Sequence, residues 1–189
     1  MSRLFTVVEK KQVLALLDGK HLGFVNNVGY SKSCADAIVE AAGESFGGLG
    51  SVLPCVWCED DYVSETLTMR FPVNWTTHMF LMLNTESAKV FNLKHETLLE
   101  LSALPEPCTT EETIAYRNIL LSAIDNEFNL GECKDNAAMN FITEFGFGDI
   151  QGFLILDEDF DPHEDGAAMR VVGSRAEIEA AIKSSIFTK

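Results

Sequence analysis

The chain has 189 residues, 47% hydrophobic and 23% charged, a balance that suits one well-packed domain and argues against disorder. Its formal net charge of −15 is unevenly placed: residues 96–165 hold 17 Asp and Glu against two bases, Arg117 and Lys134, and the rest of the chain is neutral. That sign argues against direct nucleic-acid binding and against anionic membrane surfaces, and it favours a basic protein partner, including one that itself binds nucleic acid.

Residues 8–18, VEKKQVLALLD, have helical spacing and stop at Gly19, and HLGFV reads as a short strand. Ser33 followed by Asp36 resembles a capping box that opens a helix with Cys34 in its first turn and Ile38, Ala41 and Ala42 along one stripe. After FGGLG, SVLPCVW is strand-like, and the alternation in YVSETLTMRF predicts a half-exposed strand. HMFLML is apolar on both faces and is expected in the middle of a sheet; NTES then reads as a turn and AKVFNL as the returning strand. KHETLLELSAL predicts a helix ended by Pro105 and Pro107. Thr109 with Glu112 opens another, running to about Phe128 with Ile114, Leu121, Ile124 and Phe128 on one face. KDNAAMNFITEF reads as a helix, GFLILD and AAMRVVG as strands, and Ser174 with Glu177 caps a last helix through Ile186. Strands and helices mix without regular βαβ alternation. The expectation is an α+β fold over 1–189, a single globular domain whose mixed or mostly antiparallel sheet packs against several helices.

The sharpest chemical feature is Cys34. A cysteine in the first turn of a helix faces unpaired N–H groups and the positive end of the helix dipole, both of which favour the thiolate. His78 opens one strand and Asn92 lies on the next, so a nucleophile, a base and an orienting group are all present. Val25, Asn27, Gly29, Ser33 and Cys34 resemble the loop that precedes the nucleophile in papain-like cysteine peptidases. The resemblance implies Cys34 as nucleophile, His78 as base and Asn92 as orienter. The glutamine of that family's oxyanion hole is Val28 here, a side chain with no donor, and Asn27 is the available substitute. The arrangement depends on a hairpin register. With a loop of residues 84–86, His78 faces Asn92; with residues 84–87, the two point to opposite faces. The competing reading makes Cys34 a small buried residue beside Ile38 and Ala41, with His78 on the face of Phe80 and Met82.

Other features are weaker. Cys55 and Cys58 form a C-x-x-C, but a turn and strand pattern follows where a redox helix would stand, and Cys108 and Cys133 make no second close pair for zinc. Core cysteines are the better reading. LDEDFDPHEDG, residues 156–166, carries Asp157, Glu158, Asp159, Asp161, Glu164 and Asp165, and is expected to be a solvated loop that contacts a partner. Asp161, His163 and Asp165 are weak calcium candidates, because the twelfth position of an EF-hand started at Asp161 is Val172 and not Glu. Its Asp-x-Asp resembles haloacid-dehalogenase phosphatases, but without their N-terminal placement or following helix. GYSKS lacks phosphate-loop spacing. No metal or cofactor is expected. MSRLFTVVEKK has no leader pattern, no stretch is long enough to span a membrane, and five irregularly spaced cysteines suggest a reducing, cytoplasmic setting. The leading expectation is a protein that regulates or inhibits a basic partner through its acidic half, with the papain-like cysteine hydrolase as the alternative and a carboxylate metal-binding protein third.

Overall fold

A computed structural model describes residues 2–20, 22–47, 51–59, 63–71, 74, 77–86, 89–155, 170–172 and 174–186. In chain order its elements are β1 (Ser2–Glu9), α1 (Lys10–Leu17), β2 (Gly23–Phe24), α2 (Lys32–Phe46), β3 (Ser51–Glu59), α3 (Val63–Arg70), β4 (His78–Leu83) and β5 (Lys89–Lys94). There follow α4 (His95–Ala103), α5 (Glu111–Glu127), β6 (Asn129–Leu130), β7 (Ala138–Thr143), β8 (Ile150–Ile155), β9 (Arg170–Val172) and α6 (Arg175–Ile186). Among the described residues the strands form one sheet in the order β6-β5-β7-β3-β1-β4-β8-β9, antiparallel throughout, with β2 added parallel to β3. The fold is α+β, as the sequence implies.

Both faces of the sheet are covered. On one, Phe5, Val7, Phe80, Phe91 and Phe141 pack against Cys34 and Ile38 of α2, Leu67 of α3, Leu98 of α4 and Leu120 and Ile124 of α5. On the other, Leu4, Val8, Leu53, Leu81 and Phe153 pack against Val13 and Leu16 of α1 and Ile178 and Ile182 of α6. Two-sided burial explains why HMFLML shows no alternation: Met79, Leu81 and Leu83 serve one core, Phe80 and Met82 the other.

Several elements differ from the sequence reading. The first strand, SRLFTVVE, takes Val8 and Glu9 from the helix expected over residues 8–18, which begins at Lys10, and lies between β3 and β4. YVSETLTMRF is helical from Val63: Leu67 and Phe71 are fully buried at helical spacing, whereas Met69 is 76% exposed. KDNAAMNFITEF supplies a strand, because Met139 and Phe141 fill one core and Ile142 the other, which no single helix face could do. The α2 cap is Ser31, whose Oγ accepts the Cys34 N–H at 3.2 Å, so Cys34 is the third helical residue. The cap of α5 is Thr110 with Thr113. The pairing of Ser174 with Glu177 is present, with hydrogen bonds in both directions at 3.0 and 3.3 Å.

β3 carries a proline in mid-sheet, where a missing N–H normally breaks a ladder. The β1–β3 register runs from Ser2–Glu59 to Phe5–Val56 and stops. The next hydrogen-bonded pair would join Val7 to Pro54, which has no proton to give. Asn27 takes its place: its Nδ2 donates to the Val7 carbonyl at 2.6 Å and to Thr6 Oγ1 at 3.2 Å. Thr6 Oγ1 in turn donates to the Pro54 carbonyl at 2.8 Å. β2 then fills the space that β1 leaves, with Val25 N–H donating to Val52 O at 3.0 Å. Asn27→Ala would strand a buried carbonyl, so we expect a loss of about 1–3 kcal/mol, read as a lower urea midpoint at unchanged slope. An unchanged midpoint would show that the seam does not depend on this amide.

Candidate functional site

The loop that leads to Cys34 is closed by its own side chains. Asn26 Oδ1 accepts the Tyr30 N–H at 2.9 Å and its Nδ2 donates to the Tyr30 carbonyl at 2.6 Å. Gly29, at φ +76°, makes the left-handed turn between them. Both donors of Asn27 are engaged in the β1–β3 seam, so none is free for an oxyanion. Val28 packs on the core. Each residue of the papain-like pattern in this loop therefore has a structural task.

The N-terminus of α2 is also occupied. The Ser33 N–H donates to Glu106 Oε1 at 2.6 Å, and the Ser31 N–H donates to Ser102 Oγ at 2.8 Å. A carboxylate thus sits where a thiolate would need the helix dipole. The Cys34 thiol is fully buried and donates to the Leu98 carbonyl at 3.4 Å. Burial pushes its pKa up to about 11, the Glu106 charge adds to the rise, and the Ser102 hydroxyl opposes it. Cys34 is held as a neutral thiol.

The structure does not bring Cys34, His78 and Asn92 together. β4 and β5 are not a hairpin: β7, β3 and β1 lie between them, so the strands of His78 and Asn92 are about 19 Å apart at ~4.8 Å per strand. His78 Nδ1 lies 3.0 Å from the Asn74 carbonyl and 2.9 Å from Thr77 Oγ1 at the start of β4. Asn92 fastens the β5 edge, with Nδ2 donating to the carbonyls of Gly131 at 2.9 Å and Asn129 at 3.4 Å. Cys55 and Cys58 are buried on opposite faces of β3, each with its thiol pKa raised by burial. The acidic stretch with Asp157, Glu158, Asp159, Asp161, His163, Glu164 and Asp165 lies outside the described residues.

The histidine that does lie near the start of α2 is His95, which opens α4. Its Nδ1 is 3.3 Å from Tyr30 Oη, and the two rings lie 6.5 Å apart. Burial lowers the His95 pKa, and the Arg70 charge lowers it further; burial also raises that of Tyr30. Both groups are neutral near pH 7. Nothing in the sequence joins these two residues, which are 65 positions apart and meet only because α4 packs beside the start of α2.

A second feature is the outer surface of α4 and α5. In the 17 residues of α5 only Leu120 and Ile124 are fully anchored. Ile119 is 63% exposed, Tyr116 42% and, on α4, Leu99 51%. Tyr116 Oη donates to Glu100 at 2.5 Å, which places Tyr116 at the junction of the two helices. Glu96, Glu111, Glu112 and Asp125 are exposed on the same two helices, and among the described residues none is in an ion pair. Compared with known proteins, the chain matches no family model, no curated sequence and no solved structure. No helix among the described residues is long and apolar enough to cross a membrane.

Two outcomes follow from these environments. At pH 7.5 iodoacetamide should modify the half-buried Cys108 and Cys133 at least about tenfold faster than Cys34; a Cys34 that labels as fast would contradict its neutral, buried state. His95 titrates below its unfolded value, so its contribution to stability is complete above about pH 6.5 and is lost as pH falls through the folded pKa. The urea midpoint should therefore fall between pH 7 and 5, and His95→Gln should flatten that part of the curve. Glu106, whose pKa is lowered, acts only below its ordinary carboxylate range and so in a separate window.

Proposed function

We propose that the protein works by binding a basic protein partner, and that the outer face of α4 and α5 is central to the contact. The carrying observation is that α4 and α5 carry both exposed apolar side chains and exposed carboxylates that pair with no described cation. Leu99, Tyr116 and Ile119 give area that can be desolvated, and Glu96, Glu111, Glu112 and Asp125 set the sign of the partner around it. Leu120 and Ile124 anchor α5, while Ile119, about a third of a turn away from that stripe, stays exposed.

The surrounding charge supports the same partner class. With 17 acids against two bases, residues 96–165 would repel nucleic acid and would accelerate encounter with a basic protein. Asp157, Glu158, Asp159, Asp161, Glu164 and Asp165 would extend that field. A regulatory or inhibitory role toward a protein that itself binds nucleic acid is the form this reading takes, in a reducing cytoplasmic setting where the five free thiols are stable.

The test begins with salt-sensitive capture and is decided by titration with the purified captured protein. Asp125→Lys reverses a charge near the C-terminal end of α5, where a cation suits the helix dipole, and Ile119→Ser removes an exposed apolar contact. Each should weaken binding at least about tenfold in low salt while leaving the unfolding midpoint in place. Reversal of Asp157, Asp159 and Asp165 together measures the share of the acidic loop. Binding that is insensitive to salt and to all of these changes would overturn the proposal.

A further inference from the structure

β3 runs on to Glu59, but its register with β7 ends at Cys55–Asn140. The side chain of Asn140 explains the break. It is buried, its Oδ1 accepts the Cys133 N–H and its Nδ2 donates to the Cys133 carbonyl, both at 2.7 Å. That grip draws residues 133–136 across the end of β7 and leaves a cleft beside Val56 and Trp57, roofed by α3.

The cleft is lined by two cations that make no ion pair with a described residue, and by one carboxylate. Arg70 is half-buried, and its guanidinium makes one hydrogen bond, from Nη2 to the Asn136 carbonyl at 3.1 Å. Lys134 Nζ lies 4.7 Å from the centroid of the Trp57 ring. Neither is in an ion pair with a described residue. Trp57 Nε1 is buried with no acceptor. Asp135 also lines the cleft, and its Oδ1 accepts the Ala137 N–H at 2.9 Å. In a chain of net charge −15, two cations without an ion pair on one cleft are the reverse of what the composition would scatter there.

We propose that this cleft binds a small oxyanion headgroup, with Arg70 and Lys134 as its charged donors and the Trp57 ring as the wall beside them. Arg70 presents further N–H donors in a planar fork that matches a carboxylate or phosphate edge. Thr66 lines the same wall and can donate a hydroxyl proton. The enclosed part of the cleft, about 20 Å³, holds about one water, so the ligand's charged head sits at the open mouth and keeps the rest of its body outside. The cleft involves none of the α4–α5 residues assigned to partner binding, so the two proposals stand or fall separately.

The test uses the whole protein and two-dimensional amide NMR, in which the Trp57 indole N–H gives its own resonance, identified by its absence in Trp57→Phe. Sodium phosphate, sodium acetate and sodium chloride are titrated at matched ionic strength. A saturable shift of that resonance in phosphate or acetate, and not in chloride, is the expected result; the two arms distinguish a phosphate-bearing from a carboxylate-bearing ligand. Arg70→Gln should weaken the response at least tenfold and Lys134→Gln by less, while Arg70→Lys should keep part of it and shows whether loss in the glutamine variant comes from charge or from misfolding. The same linear drift in all three salts, an equal response to chloride, or a titration unchanged by Arg70→Gln would overturn the proposal.

Discussion

Pro54 cannot make the hydrogen bond that would continue the pairing of β1 with β3, and much of the molecule is arranged around that missing proton. A carbonyl left bare at Val7 would be buried in the middle of the sheet, at a cost of about 1–3 kcal/mol. The Asn27 amide answers it with one nitrogen that serves two acceptors, Val7 O and Thr6 Oγ1. An alcohol has one proton and could not do both. The arrangement leaves Asn27 Oδ1 buried without a partner, so it satisfies the backbone at the expense of one side-chain oxygen. Because Asn27 stands between β2 and α2, the same contact fixes where β2 joins β3 and from which direction the chain enters α2.

That entry decides the chemistry of Cys34. A helix N-terminus stabilises a thiolate only if its N–H groups and its dipole are free to act on sulfur. Here Glu106 reaches across from the segment after α4 and takes the Ser33 N–H, while Ser31 takes that of Cys34. The carboxylate gains from the dipole and then acts on the thiol as a like charge, which raises the Cys34 pKa on top of burial. The feature that makes the loop resemble a nucleophile's setting is thus the feature that joins α2 to the α4–α5 connection.

The sequence patterns were legible where one physical demand acted at a time. Helices α2, α4 and α6 and the strands β3, β4 and β8 stand close to where periodicity and caps put them. The misreadings share a cause. A sheet buried on both faces removes the alternation that identifies strands, so Leu4 to Val8 passed without notice and Ala138 to Thr143 looked helical. The opposite error occurred in α3, where polar residues at even positions imitate a strand while Leu67 and the following Phe71 reach the core at helical spacing. The separation of β4 from β5 was not legible at all. Sequence neighbours usually pair, and nothing between Leu83 and Lys89 signals that the chain returns on the far side of three other strands.

The candidate surfaces were visible only in part for a related reason. Charge segregation can be counted along a chain, so the acidic half was evident; which carboxylates face solvent beside apolar side chains depends on how few residues of α5 are needed to anchor it. Two buried positions suffice, each contributing about 1.5–3 kcal/mol, and they free other positions of the helix to carry exposed side chains such as Ile119. The positive cleft was hidden more deeply. Arg70 and Lys134 are 64 residues apart and belong to segments of unremarkable composition. They share a wall because β7 ends its pairing with β3 early, and it does so because Asn140 binds the Cys133 backbone instead of leaving the ladder to run on. A buried asparagine thus sets the geometry twice in this sheet, closing a seam at Val7 and opening one at Trp57.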